Sequence, residues 1–169
     1  MATHATTPVL GVDITAATST TPNFKLAGRA ALSDGGEAMY IKASATITAG
    51  DVLLIESDGD ATPITTALTD AGTATAHKYI GVAHVSITSG SYGWACTRGV
   101  PTAGIKVLAS CVRGSPLYTT TTDGALDDTS TSSHLIEGIQ ITETATGAAV
   151  KAGFLSVNPV LASGVMNNT

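Results

Sequence analysis

Apolar residues along this chain recur at every second position, in short runs closed by Gly, Asp, Ser or Pro. In YIKASATIT (40–48), Ile41, Ala43, Ala45 and Ile47 share one face, and Lys42, Ser44, Thr46 and Thr48 share the other. IKVLASCV (105–112) repeats the arrangement with Ile105, Val107, Ala109 and Cys111. A period of two is the signature of strands. Val52–Ile55 is an unbroken aliphatic run, as expected of a short strand covered on both faces. Only TTALTDAGTATAH (65–77) has room for a helical turn, and it reads as a loop carrying one such turn. The expected fold class is all-β.

The turn residues recur in order. Gly50-Asp51 before Val52-Leu53-Leu54 is echoed by Gly114-Ser115-Pro116 before Leu117-Tyr118, and Asp58-Gly59 by Asp123-Gly124. Ile80-Gly81-Val82 is echoed by Glu137-Gly138-Ile139, and Gly90 by Gly147. The offsets are 64, 65, 57 and 57 positions, so one unit occurs twice with a length change in its central loop. The duplication bears on the aspartates. Asp-Gly is a tight-turn signal, because Gly accepts positive φ and Asp bonds its own backbone. A catalytic or metal-binding carboxylate has no reason to recur at one topological turn among different neighbours, and Asp60 is matched by Ala125. Gly81 and Gly138 sit where the alternation changes phase, the mark of a bulge or a bend at a barrel corner. A small antiparallel β-barrel or sandwich built from a duplicated strand–turn unit is the architecture expected.

Residues 1–22 are rich in Thr, Ala and Ser, with Pro8 and Pro22, and form no strand run. They read as an extended N-terminal arm unable to fold alone. The organisation expected is an arm at 1–22, a β-domain at 23–161 with pseudo-repeats at about 38–100 and 101–157, and a tail at 162–169.

Composition narrows the function. Only 12% of residues are charged, about half the usual share, and the net charge is −5 with 8 Lys+Arg. A nucleic-acid binder needs a basic footprint, and none is present. No apolar run approaches the ~18 residues of a membrane span, and the N-terminus lacks the basic start and apolar stretch of a secretory signal. The expectation is a protein made in a cytoplasm, with a neutral surface suited to lasting contact with other protein. No nucleotide fingerprint, nucleophile elbow or CxxC pair occurs. His4, His77, His84 and His134 are dispersed, with His77 and His134 at equivalent places before the Gly-interrupted strands. Asp127-Asp128 falls in a Thr/Ser-rich loop without an apolar pocket to shift a pKa. No catalytic residue, cofactor or metal site is expected.

Turn signals at Gly99-Val100-Pro101 and Ala103-Gly104 suggest that the segments around Cys96 and Cys111 form a hairpin. Centred near Pro101 and Thr102, it offsets the sulfurs by roughly 13 Å at ~3.3 Å per residue, too far for a bridge. Buried free thiols are expected. Trp94, the one tryptophan, shares a strand face with Tyr92. The pair is either a core anchor or, if exposed, an interface anchor, with Arg98 and Arg113 as rim contacts.

The segments NFKLAGRAALSDGGEAMYIKASATITAGDVLLI, HKYIGVAHVSITSGSYGWACTRGV and AGIKVLASCVRGSPLYTTTTDGALDD, within 23–157, resemble the capsid decoration or cement proteins of tailed bacteriophages. The shared features are the Gly-Asp turn after A-x-I-x-A, the Ile-Gly-Val strand, Tyr-Gly-Trp leading to a glycine, and a later Asp-Gly-Ala-Leu. The resemblance implies a structural virion protein without enzymatic activity, on the exterior of the head and assembled in the host cytoplasm. Its implied partners are the major capsid protein and further copies of itself, often as a homotrimer. A tail, fibre-base or adhesin module is the competing structural reading, and a ligand-binding or enzymatic barrel the competing chemical one.

Overall fold

Among the described residues the short alternating runs become twelve strands and one helical turn. A computed structural model describes residues 12–16, 18–69, 79–130 and 134–161. In chain order the elements are β1 (Arg29–Ala31), β2 (Glu37–Ala43), β3 (Val52–Ile55), β4 (Asp60–Pro63), α1 (Thr66–Thr69), β5 (Tyr79–Ala83) and β6 (Tyr92–Arg98). They continue with β7 (Ile105–Val107), β8 (Leu117–Thr119), β9 (Leu126–Asp127), β10 (Leu135–Ile141), β11 (Ala149–Lys151) and β12 (Gly153–Leu161).

The first sheet runs β1-β2-β4-β3-β5-β6, and β6 returns to pair with β2 from Glu37↔Arg98 to Lys42↔Tyr92. Strands β2, β4, β3, β5 and β6 therefore close into a five-stranded barrel, a device that removes sheet edges. Its ladders are antiparallel except β2–β4, which is parallel at Ala43↔Ala61. The second sheet follows the same succession, β11-β7-β9-β8-β10-β12, again with one parallel pair, at Val107↔Leu126. That pair lies 64 and 65 positions beyond Ala43 and Ala61, the offsets already visible between the turns. Its two edge strands, β11 and β12, are separated in the chain by Ala152 alone. The sheet must curl to accommodate this, and β11 with β12 takes the place of β6 as one interrupted strand.

Two apolar cores follow from the alternation. Leu53 and Ile55 point into the closed barrel with Met39, Ile41, Ile47, Ala83 and Ile87. Their neighbours Val52 and Leu54 point the other way, joining Ile80 and Val82 against Val107, Leu117, Leu126, Ile136 and Leu155 of the second sheet. Strand β3 is thus buried at all four positions, as its unbroken aliphatic run requires.

Several local expectations change. Strands β6 and β7 do not form a hairpin; residues 99–104 cross from one sheet to the other, with Gly99 bridged to Leu155. Both cysteines are nonetheless buried and free, in the core that the sheets share. The run after Gly104 is a strand only to Val107, since a turn with Ser110 at φ 68° exposes Ala109 before Cys111 re-enters the core. Strand β2 ends at Ala43, and Ile47 reaches the interior through a single bridge to Ile87.

The two strand glycines have different causes. At Gly138 (φ 84°) the β10–β12 register shifts between Glu137 and Ile139, so the expected bulge is there. At Gly81 the ladder is unbroken, with Val52↔Val82, Leu53↔Gly81 and Leu54↔Ile80, and no bulge forms. Ile80 and Val82 face one core while Ala83 and Ile87 face the other, which mimics a phase change in the sequence. Glycine is favoured there because a Cβ would come within 2.9 Å of Ile55 Cδ1, a movable side-chain end, and 3.2 Å of the Cys96 carbonyl.

Candidate interaction surface

The Gly and Asp positions divide into turns and one buried carboxylate. Gly50, Gly59, Gly114 and Gly124 all have positive φ, at 88°, 94°, 76° and 67°. Asp58 caps its own turn, its Oδ1 accepting the Asp60 amide at 3.1 Å. At the equivalent turn in the second unit, the Asp123 carbonyl accepts from Lys106 Nζ at 2.8 Å. Asp51 is different. It is buried, its Oδ2 accepts the Thr48 amide at 2.7 Å, and its Oδ1 lies 2.8 Å from Lys106 Nζ. Beside it, the Val52 amide donates to the Gly124 carbonyl and the Gly124 amide to Ile64. A Cβ on Gly124 would collide with the Asp51 carboxylate at 2.5 Å. This corner ties the sheets together through polar bonds as well as the shared core.

The four residues singled out as anchors do not converge. Trp94 is 5% exposed and packs with Tyr40 (ring centroids 5.0 Å apart) on the outer face of β2 and β6. Tyr92 is half-buried and stacks on Tyr40 at 6.2 Å. Leu26, Leu32, Val12 and Ile14 cover this cluster. Trp94 is therefore a core anchor in this fold, because the chain's own N-terminal segment occupies the face a partner would need. Arg98 is also engaged, its Nη2 donating to the Gly35 carbonyl at 2.8 Å and so holding the β1–β2 hairpin tip. Arg113 alone is exposed, in the turn before β8.

Around Arg113 lies a surface that the sequence did not mark. Val112 is 49% exposed and Phe154 38%. Gln140, opposite Phe154 across the β10–β12 ladder, donates to the Gly114 carbonyl at 3.1 Å, which seats the Arg113 turn next to that ladder. Val160 continues the outer face of β12 and is also exposed. Alternation in GFLSVNPVL could have identified Phe154 and Val160, but both of its faces are apolar enough to hide which one is outside.

Among the described residues one group has metal-ligand chemistry in reach: Cys111 Sγ and the Asp127 and Asp128 carboxylates lie within 4.8 Å of one another. Each is used locally. Asp128 Oδ2 accepts the Val112 amide at 2.8 Å, and Asp127 Oδ1 accepts the Asp128 amide at 2.9 Å. Burial, reinforced by the charges of Asp128 and Asp127, pushes the Cys111 thiol up to about 12. It stays protonated and donates to Asp127 Oδ1 at 3.5 Å. Burial likewise pushes Cys96 up to about 11. A hollow of about 210 Å³ lies between Thr48-Ala49 and Val107, Ala125, Ala149 and Val150, with Lys106 in its lining. That ammonium is already bonded to Asp51 and to the Asp123 carbonyl.

No protein-family model matches the chain, and no curated protein matches it.

Proposed function

We propose that this chain is a structural virion protein that binds the outside of a phage capsid and cements neighbouring capsid subunits. The observation that carries the reading is the double β unit. Two equivalent sheets are fused through one apolar core, and the second of them carries Phe154 exposed on β12, with the exposed Val112 and Arg113 in the turn before β8. A cement must resist being pulled apart, and a shared core with a half-buried ion pair at the seam suits that load. Its external contacts can be individually weak, because copies fixed on one shell act through high effective concentration. The sequence resemblance to decoration proteins and the low surface charge support the same reading, with the major capsid protein and further copies of the chain as partners.

The test is to add the purified protein to heads of the virus that encodes it and locate it by electron microscopy. The expected result is regular density on the head exterior and release of packaged DNA at a higher temperature than from bare heads. A Phe154→Asp/Arg113→Glu variant should lose most of that occupancy. Density confined to the tail, or no association with particles, overturns the proposal.

A further inference from the structure

We infer that the N-terminal segment 18–26 is exchanged between copies of this chain, each copy's segment lying on the aromatic face of a neighbour. This deepens the self-association proposed above by naming its contact. The segment meets the barrel through a small set of well-formed interactions. Ser19 and Tyr92 exchange backbone hydrogen bonds at 3.2 and 2.8 Å, and the Asn23 amide donates to the Tyr40 hydroxyl at 3.0 Å. Phe24 sits 5.2 Å from the ring centres of both Tyr40 and Trp94. Without the segment, and the Val12 and Ile14 that precede it and move with it, the Tyr40, Tyr92 and Trp94 rings would keep Leu32 but lose the rest of their cover.

The connection between segment and body is strained. The chain reverses in a turn from Lys25 to Gly28, closed by the Gly28 amide on the Lys25 carbonyl at 3.0 Å. Ala27, at the third position of that turn, is held at φ 57°. Positive φ there calls for Gly or Asn, because a Cβ is crowded against its own carbonyl. The turn is also clamped, the Ala27 amide donating to Tyr40 and its nitrogen standing where a Cβ on Gly59 would be 2.7 Å away.

Exchange keeps every contact between segment and barrel, because the same atoms meet in trans. What differs is the hinge and the entropy of association. Opening the Lys25–Gly28 turn lets Ala27 return to an extended φ, and strained short hinges are the feature that favours swapping. In a head-to-tail exchange each copy gives one segment and receives one, and the assembly is a ring where the rotation between successive copies closes.

The experiment uses the full chain with Ser19→Cys and Tyr92→Cys. These positions face each other as a hydrogen-bonded antiparallel pair, at a separation a disulfide spans. Native mass over a concentration series is read first, then the oxidised protein on a non-reducing gel. The expected result is an oligomer whose chains become covalently joined. A monomer at every concentration overturns the inference, as does an oligomer carrying only intrachain links. If the cysteines do not oxidise, Ala27→Gly decides. Relieving the turn should lower the association constant read from the concentration series roughly fivefold per exchanged segment, the factor that about 1 kcal/mol corresponds to. An unchanged constant overturns the inference. Particle binding is read separately, so cross-linked oligomers that ignore heads would refute the capsid reading and leave the exchange standing.

Discussion

The Lys106 ammonium lies 2.8 Å from Oδ1 of Asp51, joining the loop before β3 to strand β7 across the seam between the two sheets. The pair is asymmetric: the Asp51 side chain is 3% exposed and that of Lys106 30%. Lys106→Met should therefore be the costlier change, about 2–4 kcal/mol, because it strands a buried carboxylate. Asp51→Asn keeps an acceptor for Thr48 and leaves an ammonium that can reach water, so about 1–2 kcal/mol is expected. Urea unfolding of both single variants and the double variant checks this, the double losing less than the sum.

His84 supplies a pH dependence. It is 5% exposed, its Nδ1 is 2.8 Å from Thr102 Oγ1 in the segment crossing between the sheets, and its Nε2 has no hydrogen-bond partner among the described residues. Burial lowers its pKa below 6.5, against a smaller upward pull from the Asp34 charge. As pH falls, the unfolded chain takes up this proton before the folded one. The stability due to neutral His84 is complete above pH 6.5 and is lost as pH drops through the folded value. Denaturation midpoints between neutral and acid pH should fall more steeply for the wild type than for His84→Gln, and more steeply still for Asp34→Asn.

The glycines should rank by geometry. Gly138→Ala combines φ 84° with a Cβ placed 2.6 Å from Ser156 Oγ and 3.1 Å from Pro159 Cα. Strain and overpacking together predict a loss of about 2–4 kcal/mol. Gly90→Ala has a similar φ of 81° but open space, and should cost about 1 kcal/mol. Gly81→Ala meets the movable end of Ile55 at an ordinary φ and should fall between them. Thermal unfolding of the three variants would establish the order; a Gly90 variant as damaged as the Gly138 one would contradict it.

The thiols should be inert in the native state. With Cys96 raised to about 11 and Cys111 to about 12, almost no thiolate exists at pH 8. Reaction with an aromatic disulfide reagent should proceed only as fast as the protein unfolds, and adding denaturant should release two equivalents, one from each cysteine.

The duplicated unit was readable because turns are local. Asp58-Gly59 and Asp123-Gly124 declare themselves in a few residues, and their matching offsets carried through to equivalent parallel pairs in the two sheets. The candidate surface was less legible. Trp94 and Tyr92 were recognised as a pair, but whether they face solvent depends on where residues 12–26 lie, which no local pattern encodes. Phe154 is hard to place because an exposed apolar residue in a strand looks like a buried one, and Val112 because its alternating run reads as strand although the strand ends at Val107. Asp51 resembled the other turn aspartates because its partner Lys106 is 55 positions away.

Alternation and turn chemistry were enough to establish an all-β chain made of two equivalent units, since both act between residues a few positions apart. Closure of the barrel, the crossing at 99–104, the ion pair at the seam and the covering of Trp94 all depend on contacts between distant segments. Those follow from how two sheets with apolar residues on both faces bury them against each other, a choice made in space and not along the chain.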